Sequence, residues 1–218
     1  MVILSYDTTM RQFLEIGDPE DAKFAQAMDI YSRAFPQSER HPVEVIKERV
    51  CQGLNELFVA TIENEVVFMA LLWPLKDTEF ILLDYMATKD THQNQGIASA
   101  FMNEMRQVLK AKSKYFIMEV ENSEYGSNKE ERARRISFYK RIGAKEMRDV
   151  RYVLPGLDGG TPTEMCLMVY PDYELEVLPG SIVKDLVVRI YRELYGRGTE
   201  DPLLLTFFNS IRDQVEMV

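Results

Sequence analysis

The segment EFILLDYMATKDTHQNQGIASAFMNEMRQVLKA, residues 79–111, constrains this chain most, because two periodicities meet in it at a single glycine. The run 79–87 is apolar almost throughout, as a strand buried on both faces requires. From Gly96 onward Ile97, Phe101, Met105 and Leu109 recur at helical spacing. A glycine between strand and helix lets the main chain approach a ligand closely, and the first amides of a helix have no internal acceptor. With the helix dipole, those amides make an anion site suited to a pyrophosphate. Gln93, Asn94 and Gln95 lead into Gly96, and Ala98 leaves little side chain in the way. Taken alone, the junction reads more readily as an ordinary turn, since any strand-to-helix junction can carry a glycine.

The remaining periodicity sets this unit in an alternating order. Residues 18–35 are expected to form an amphipathic helix with Asp18 as N-cap, Pro19 at its first position, and Phe24, Met28, Tyr31 and Phe35 near one face. After the turn-like PQSERHP a second helix is expected from Val43 to Cys51, ending at Gly53. LFVATIENEVVFMALLWPL reads as an antiparallel hairpin around ENE. Residues 114–122 give another strand, and ISFYKRIGA the last turns of a helix ended by Gly143. RDVRYVLP and EMCLMVYP form a closing pair of strands joined through GLDGGTPT. Two amphipathic helices are expected at 180–196 and 201–218. The layout is a mixed α/β domain over residues 1–172 with a C-terminal helical extension over 173–218.

Bulk properties narrow the function classes. A length of 218 residues with 46% hydrophobic side chains supports one well-buried core. The net charge of −9 disfavours nucleic acid phosphates and anionic membranes as partners. Cys51 and Cys166 stand far apart, and the only histidines are His41 and His92, so neither a metal site nor a disulfide framework is expected. Free thiols and the lack of a long apolar run lead to the expectation of a cytoplasmic protein without a membrane span.

QNQGIA resembles the Q/R-x-x-G-x-G/A signature of the GCN5-related N-acetyltransferase (GNAT) superfamily, and SFYKRIGAKEM resembles that superfamily's FYxxxGF segment, in the same order. The resemblance covers roughly residues 15–170. It implies a GNAT fold: a mixed sheet flanked by helices, with acetyl-CoA in a V-shaped opening between splayed parallel strands, here 79–87 and 115–121. It further implies that the pyrophosphate meets the amides of Asn94, Gln95, Gly96, Ile97, Ala98 and Ser99, with Gln93 in the same loop. The pantetheine arm would then pair with the backbone near Met86, Ala87 and Thr88. Tyr139 corresponds to the tyrosine that often serves as general acid. Two carboxylates compete for the base: Glu119 matches the strand glutamate of ribosomal-protein alanine acetyltransferases, and Asp84 lies near where histone acetyltransferases of this type carry theirs. A carboxylate on either apolar strand is costly to bury unpaired, so its pKa is expected to rise.

The departures carry expectations too. Where the family often has an asparagine stands Arg132, within the charged run NKEERARR, which reads either as a solvated helix face with i,i+4 pairs or as a contact to a CoA phosphate or an acidic substrate group. FPQSERHP falls where the family's variable substrate loop lies, so Glu39 and Arg40 either orient a ligand or form a surface ion pair. In the tail, Ile182, Leu186, Val187, Ile190 and Leu194 make an apolar face that must be covered, by folding back over the catalytic domain or by a second subunit in a homodimer. The implied activity is direct transfer of an acetyl group from acetyl-CoA, with no metal, to a primary amine of a small molecule or peptide. The alternatives are a non-catalytic acyl-CoA-binding module and a transferase of longer acyl chains.

Overall fold

The computed structural model describes residues 12–126, 128–157, 160–172 and 176–218. In chain order its strands are β1 (Phe13–Ile16), β2 (Glu56–Ile62), β3 (Glu65–Pro74), β4 (Phe80–Thr88), β5 (Tyr115–Glu121), β6 (Lys145–Glu146), β7 (Tyr152–Leu154), β8 (Thr163–Tyr170), β9 (Val177–Pro179) and β10 (Gln214–Glu216). The helices are α1 (Ala22–Ala34), α2 (Val43–Cys51), α3 (Ile97–Ala111), α4 (Lys129–Arg141), α5 (Gly180–Tyr195) and α6 (Pro202–Ser210). The main sheet runs β1-β2-β3-β4-β5-β8-β6, with β7 also paired to β8; β9 and β10 form a separate antiparallel pair. Every neighbouring pair is antiparallel except β4 and β5. The mixed sheet expected from the sequence is therefore present, with helices on both sides.

Strand alternation decides which helices cover which face. On β3, Met69 and Leu71 point one way, into a core with Phe24, Met28, Tyr31, Ile46 and Val50 of α1 and α2. Phe68, Ala70 and Leu72 point the other way, against Ile97, Phe101 and Met105 of α3 and Tyr139 of α4. The two hairpin residues Glu63 and Asn64 both take positive φ, 51° and 65°, the pairing that lets a tight turn match strand twist.

The first face continues past α1 and α2, and the tail covers the continuation. Phe80, Leu82, Ile117, Leu167 and Val169 of the sheet pack against Val183, Leu186, Val187, Ile190, Tyr191 and Leu194 of α5 and Leu204 and Phe207 of α6. The tail's apolar face is thus met by the chain's own sheet. Ile182, expected on that face, is only partly buried, because the face centres on Val183 and Tyr191.

Two sequence expectations need correction. The N-cap of α1 is Asp21, whose side chain accepts from Lys23 N–H at 2.8 Å; Asp18 instead accepts from Glu20 N–H at 2.9 Å in the preceding turn. The last helix ends at Ser210, and residues 214–216 form β10 against β9, continued by a bridge between Met147 and Met217. Val215 and Met217 are buried while Gln214 and Glu216 are exposed, a two-residue alternation that belongs to a strand.

Gly180 is where this tail closes. Its N–H donates to the Asp213 carbonyl at 2.8 Å, and a Cβ there would stand 2.0 Å from the Arg212 carbonyl oxygen. Gly180→Ala is expected to cost about 3 kcal/mol, the upper end of overpacking. At this chain length, thermal melts should then show a fall in Tm of roughly 6–12 °C; an unchanged Tm would mean the tail's start is free to move.

Candidate active site

The site begins with a fault in the sheet. Leu71 pairs with Tyr85, but Leu72 pairs with Leu83, so Asp84 is the extra residue of a β-bulge. Parallel pairing of β4 with β5 covers Phe80–Tyr115, Ile81–Phe116 and Leu82–Ile117 and then stops, just before the bulge. Both strands run on, β4 to Thr88 and β5 to Glu121, without pairing to each other. A bulge bends its strand, and here it turns β4 away from its neighbour. The opening is a cleft of about 700 Å³, walled by Leu83 to Thr88, Met118 to Val120, Gly96 to Ser99, and Phe138 and Tyr139.

On the α3 side the cleft has the character of an anion site. Asn94 and Gly96 both take left-handed backbone, with φ of 60° and 75°, and nothing lies within 4 Å of the place a Gly96 Cβ would occupy. Gly96 is therefore required by its φ and leaves open space in front of it. The first intrahelical bond runs from Ala100 N–H to the Gly96 carbonyl at 2.9 Å, so the N–H groups of Ile97, Ala98 and Ser99 precede the helical ladder. Gln93 is turned back on its own loop, donating to Asp90 at 2.9 Å, and Gln95 donates weakly to the Thr91 carbonyl at 3.4 Å. Arg33, Arg134, Arg135 and Arg141 line the same cleft together with Asp90 and Glu131, and the first three pair with Asp29, Glu130 and Glu121. Along β4, Met86, Ala87 and Thr88 pair with Ala70, Met69 and Phe68 on one side, leaving the side toward β5 for a strand-like guest.

The opposite side of the opening holds the two carboxylates. Asp84 Oδ2 is buried and has no hydrogen-bond partner among the described residues. Burial first, and then the charge of Glu119, push the Asp84 carboxyl up to about 8, with Arg49 opposing. Glu119 is anchored at both oxygens: Oε1 accepts from Tyr152 Oη, and Oε2 from Tyr195 Oη at 2.8 Å. Burial raises it to about 7 against the pull of those two donors. Tyr139 is 8% exposed and faces the cleft from α4; burial pushes its phenol up to about 12, with Arg135 opposing.

Other sequence candidates lie differently. Arg40 Nε donates to the Phe35 carbonyl at 3.1 Å and its guanidinium sits 5.8 Å from the Tyr31 ring centre, so it braces the 36–40 turn from inside. The Glu39 carbonyl accepts from Tyr85 Oη at 3.1 Å, and burial raises its carboxyl beside Glu121, Arg132 and Arg135. Arg132 lies neither on a solvated face nor in the cleft wall: it pairs with Glu121 at 2.8 Å and donates to the Tyr125 carbonyl at 2.9 Å. The i,i+4 pairs expected of this helix are Glu130–Arg134 and Glu131–Arg135. Among the described residues no cluster of metal-ligating side chains occurs. No helix among them is long and apolar enough to cross a membrane.

Sequence reasoning did not single out Arg49, Tyr152 or Tyr195. Arg49 reaches the site from α2 and donates to the Leu194 carbonyl at 2.9 Å while lying 5.0 Å over the Trp73 ring. Each comes from an element remote in sequence, with no local motif to mark it.

Residues 53–143 match a family model described as an acetyltransferase (GNAT) domain. Among solved structures, one described as a GNAT-family acetyltransferase from Bacteroides thetaiotaomicron superposes with a TM-score of 0.69 at 20% identity, covering 85% of this chain and 99% of the other. The ribosomal-protein-S18-alanine N-acetyltransferase of Escherichia coli gives 0.55 at 19% identity, over 77% and 97%. An acetyltransferase of Salmonella typhimurium, solved with acetyl-CoA, gives 0.54 at 13% identity, over 76% and 95%. At these identities the likeness is one of fold. No curated protein matches the chain significantly.

The raised carboxyls have a consequence for stability. Both Asp84 and Glu119 hold protons more tightly folded than in the ordinary carboxylate range near 4, so their contribution is full below about pH 4 and is lost as pH rises toward about 8. Asp84→Asn, which cannot ionise, is expected to flatten the fall in Tm between roughly pH 5 and 8. Equal slopes for the two proteins would show that Asp84 titrates normally.

Proposed function

With a GNAT acetyltransferase domain at residues 53–143 as premise, we propose that this protein transfers an acetyl group from acetyl-CoA directly to a primary amine of a small molecule or peptide. The observation that carries this reading is the bulge-opened cleft, with unladdered amides and arginines on one side and, on the other, a half-buried carboxylate whose Oδ2 has no partner among the described residues. The residues present suit acetyl-CoA: the amides of Ile97, Ala98 and Ser99 and the left-handed turn at Asn94–Gly96 suit a pyrophosphate, and the open edge at Met86–Thr88 suits an extended amide-bearing arm. When bound, acetyl-CoA supplies an activated thioester.

An amine must reach a thioester uncharged, so the acceptor ammonium has to give up a proton. Asp84 is the base in this reading, because its Oδ2 has no partner among the described residues whereas both oxygens of Glu119 are held. Glu119 keeps a negative charge beside it, which raises its affinity for that proton. Tyr139, protonated at neutral pH, is placed on the cleft wall to share its proton with the departing thiolate. The acceptor enters from the face covered by α1, α2 and α5, where Phe35, Tyr85 and the two carboxylates lie.

Thiol release from acetyl-CoA in the presence of amino acids, polyamines, aminoglycosides and short peptides tests the activity. Release with at least one acceptor is expected; CoA binding without release under any of them would leave a binding module. With that acceptor, Tyr139→Phe should lower kcat by about 10²–10⁴, the scale of general acid–base catalysis, with CoA affinity little changed. A fully active Phe variant would return Tyr139 to packing. Gly96→Ile places a β-branched residue at positive φ and is expected to weaken CoA binding at least about tenfold by calorimetry, about 1.4 kcal/mol or more. Unchanged affinity would exclude this turn from the cosubstrate site.

A further inference from the structure

The C-terminal helix lies outside the matched residues 53–143, yet its last residue hydrogen-bonds Glu119. Tyr195 is the final residue of α5, and Gly196 ends the helix in left-handed backbone at φ 62°. The end of α5 is fixed from three directions. Arg49 of α2 donates to the Leu194 carbonyl at 2.9 Å, Trp73 Nε1 of β3 donates to Glu193 at 3.1 Å, and the Tyr195 ring stacks near His41, centroids 6.3 Å apart at 21°. Held so, Tyr195 Oη donates to Glu119 Oε2 at 2.8 Å, while Tyr152 of β7 serves Oε1.

We propose that Tyr195 is a positioning residue of the acetyl-transfer site, through which the C-terminal helix orients Glu119 and holds it as the anion that makes Asp84 a base. The inference rests on the reading of Asp84 as base given above. Two phenol donors leave the Glu119 carboxylate a single orientation, and a donor to the ionised form stabilises that form. The groups that face this carboxylate are Asp84 of β4, Tyr85 beside it, Arg49 of α2 behind Asp84, Tyr152 of β7, and Tyr191 and Tyr195 of α5. Among them Arg49 is the cation, and it compensates Asp84; its Nη2 is committed to the Leu194 carbonyl, and its buried Nη1 has no hydrogen-bond partner among the described residues. With this one cation beside two carboxylates among the described residues, the anion on Glu119 leans on the two phenols that donate to it. The same arrangement ties the tail to catalysis: α5 covers the sheet and also sets the charge state of the acceptor side.

The test needs neither acceptor nor acetyl-CoA. The full-length chain, with 13C-labelled side-chain carboxyls, is titrated by NMR as wild type and as Tyr195→Phe, with Asp84→Asn and Glu119→Gln to assign the two resonances. Removing the hydroxyl while keeping the ring should raise the Glu119 midpoint and lower that of Asp84, because a less ionised Glu119 repels less. 3-Fluorotyrosine at position 195, a stronger donor of the same shape, should move both midpoints the other way, and it serves if the Phe variant folds poorly. Midpoints that stay put in both proteins would overturn the proposal and leave Tyr195 a packing residue. Opposed movement together with failure to acetylate any amine would keep the coupling and refute the transferase reading instead.

Discussion

The bulge at Asp84 is the feature on which the rest of the site depends. A regular β4 would keep parallel register with β5 beyond Leu82–Ile117, and the cleft would close. One extra residue against Leu72 stops the ladder, bends the strand and re-aims a carboxylate that the pleat would otherwise have placed in register. The fault is supported from the side: Asn55, the buried polar residue of the core, donates to the Leu72 carbonyl at 3.1 Å. The sheet thus loses strand pairing where the chain needs space, and the surrounding cores hold the opening in place.

The opening joins two chemically distinct halves. On the α3 and α4 side are dipole-favoured amides, arginines and a buried phenol; on the α1, α2 and α5 side are two half-buried carboxylates under aromatic cover. An anionic cosubstrate and a cationic acceptor would each meet the half that suits its charge. The carboxylates are tolerated in a half-buried position because each has compensation, Asp84 from Arg49 and Glu119 from Tyr152 and Tyr195.

Much of this was legible in the sequence where local patterns report on local structure. The run FILLDYMA, the turn QNQG and the spacing of Ile97, Phe101, Met105 and Leu109 marked the strand, turn and helix. The ENE hairpin and the helix from Val43 to Cys51 followed from the same kind of evidence. The bulge was not legible, since Asp84 in an apolar strand signals an unusual position without saying that the register slips. Tyr152, Tyr195 and Arg49 were hidden for a different reason: long-range packing brings them to Glu119 and Asp84, and no periodicity encodes that. The strand at 214–216 was overlooked because strong helical residues precede it, although the alternation of Val215 and Met217 with polar neighbours was in plain view.

The claim that the splayed strands hold the cosubstrate is tested most directly by hydrogen exchange of the full chain with and without CoA. Binding in the cleft should slow exchange of amides in residues 83–88 and 94–100, the open edge of β4 and the turn into α3, and leave the β1–β2 edge unchanged. Unaltered exchange in both segments at saturating CoA, or protection confined to the sheet edges, would contradict the account.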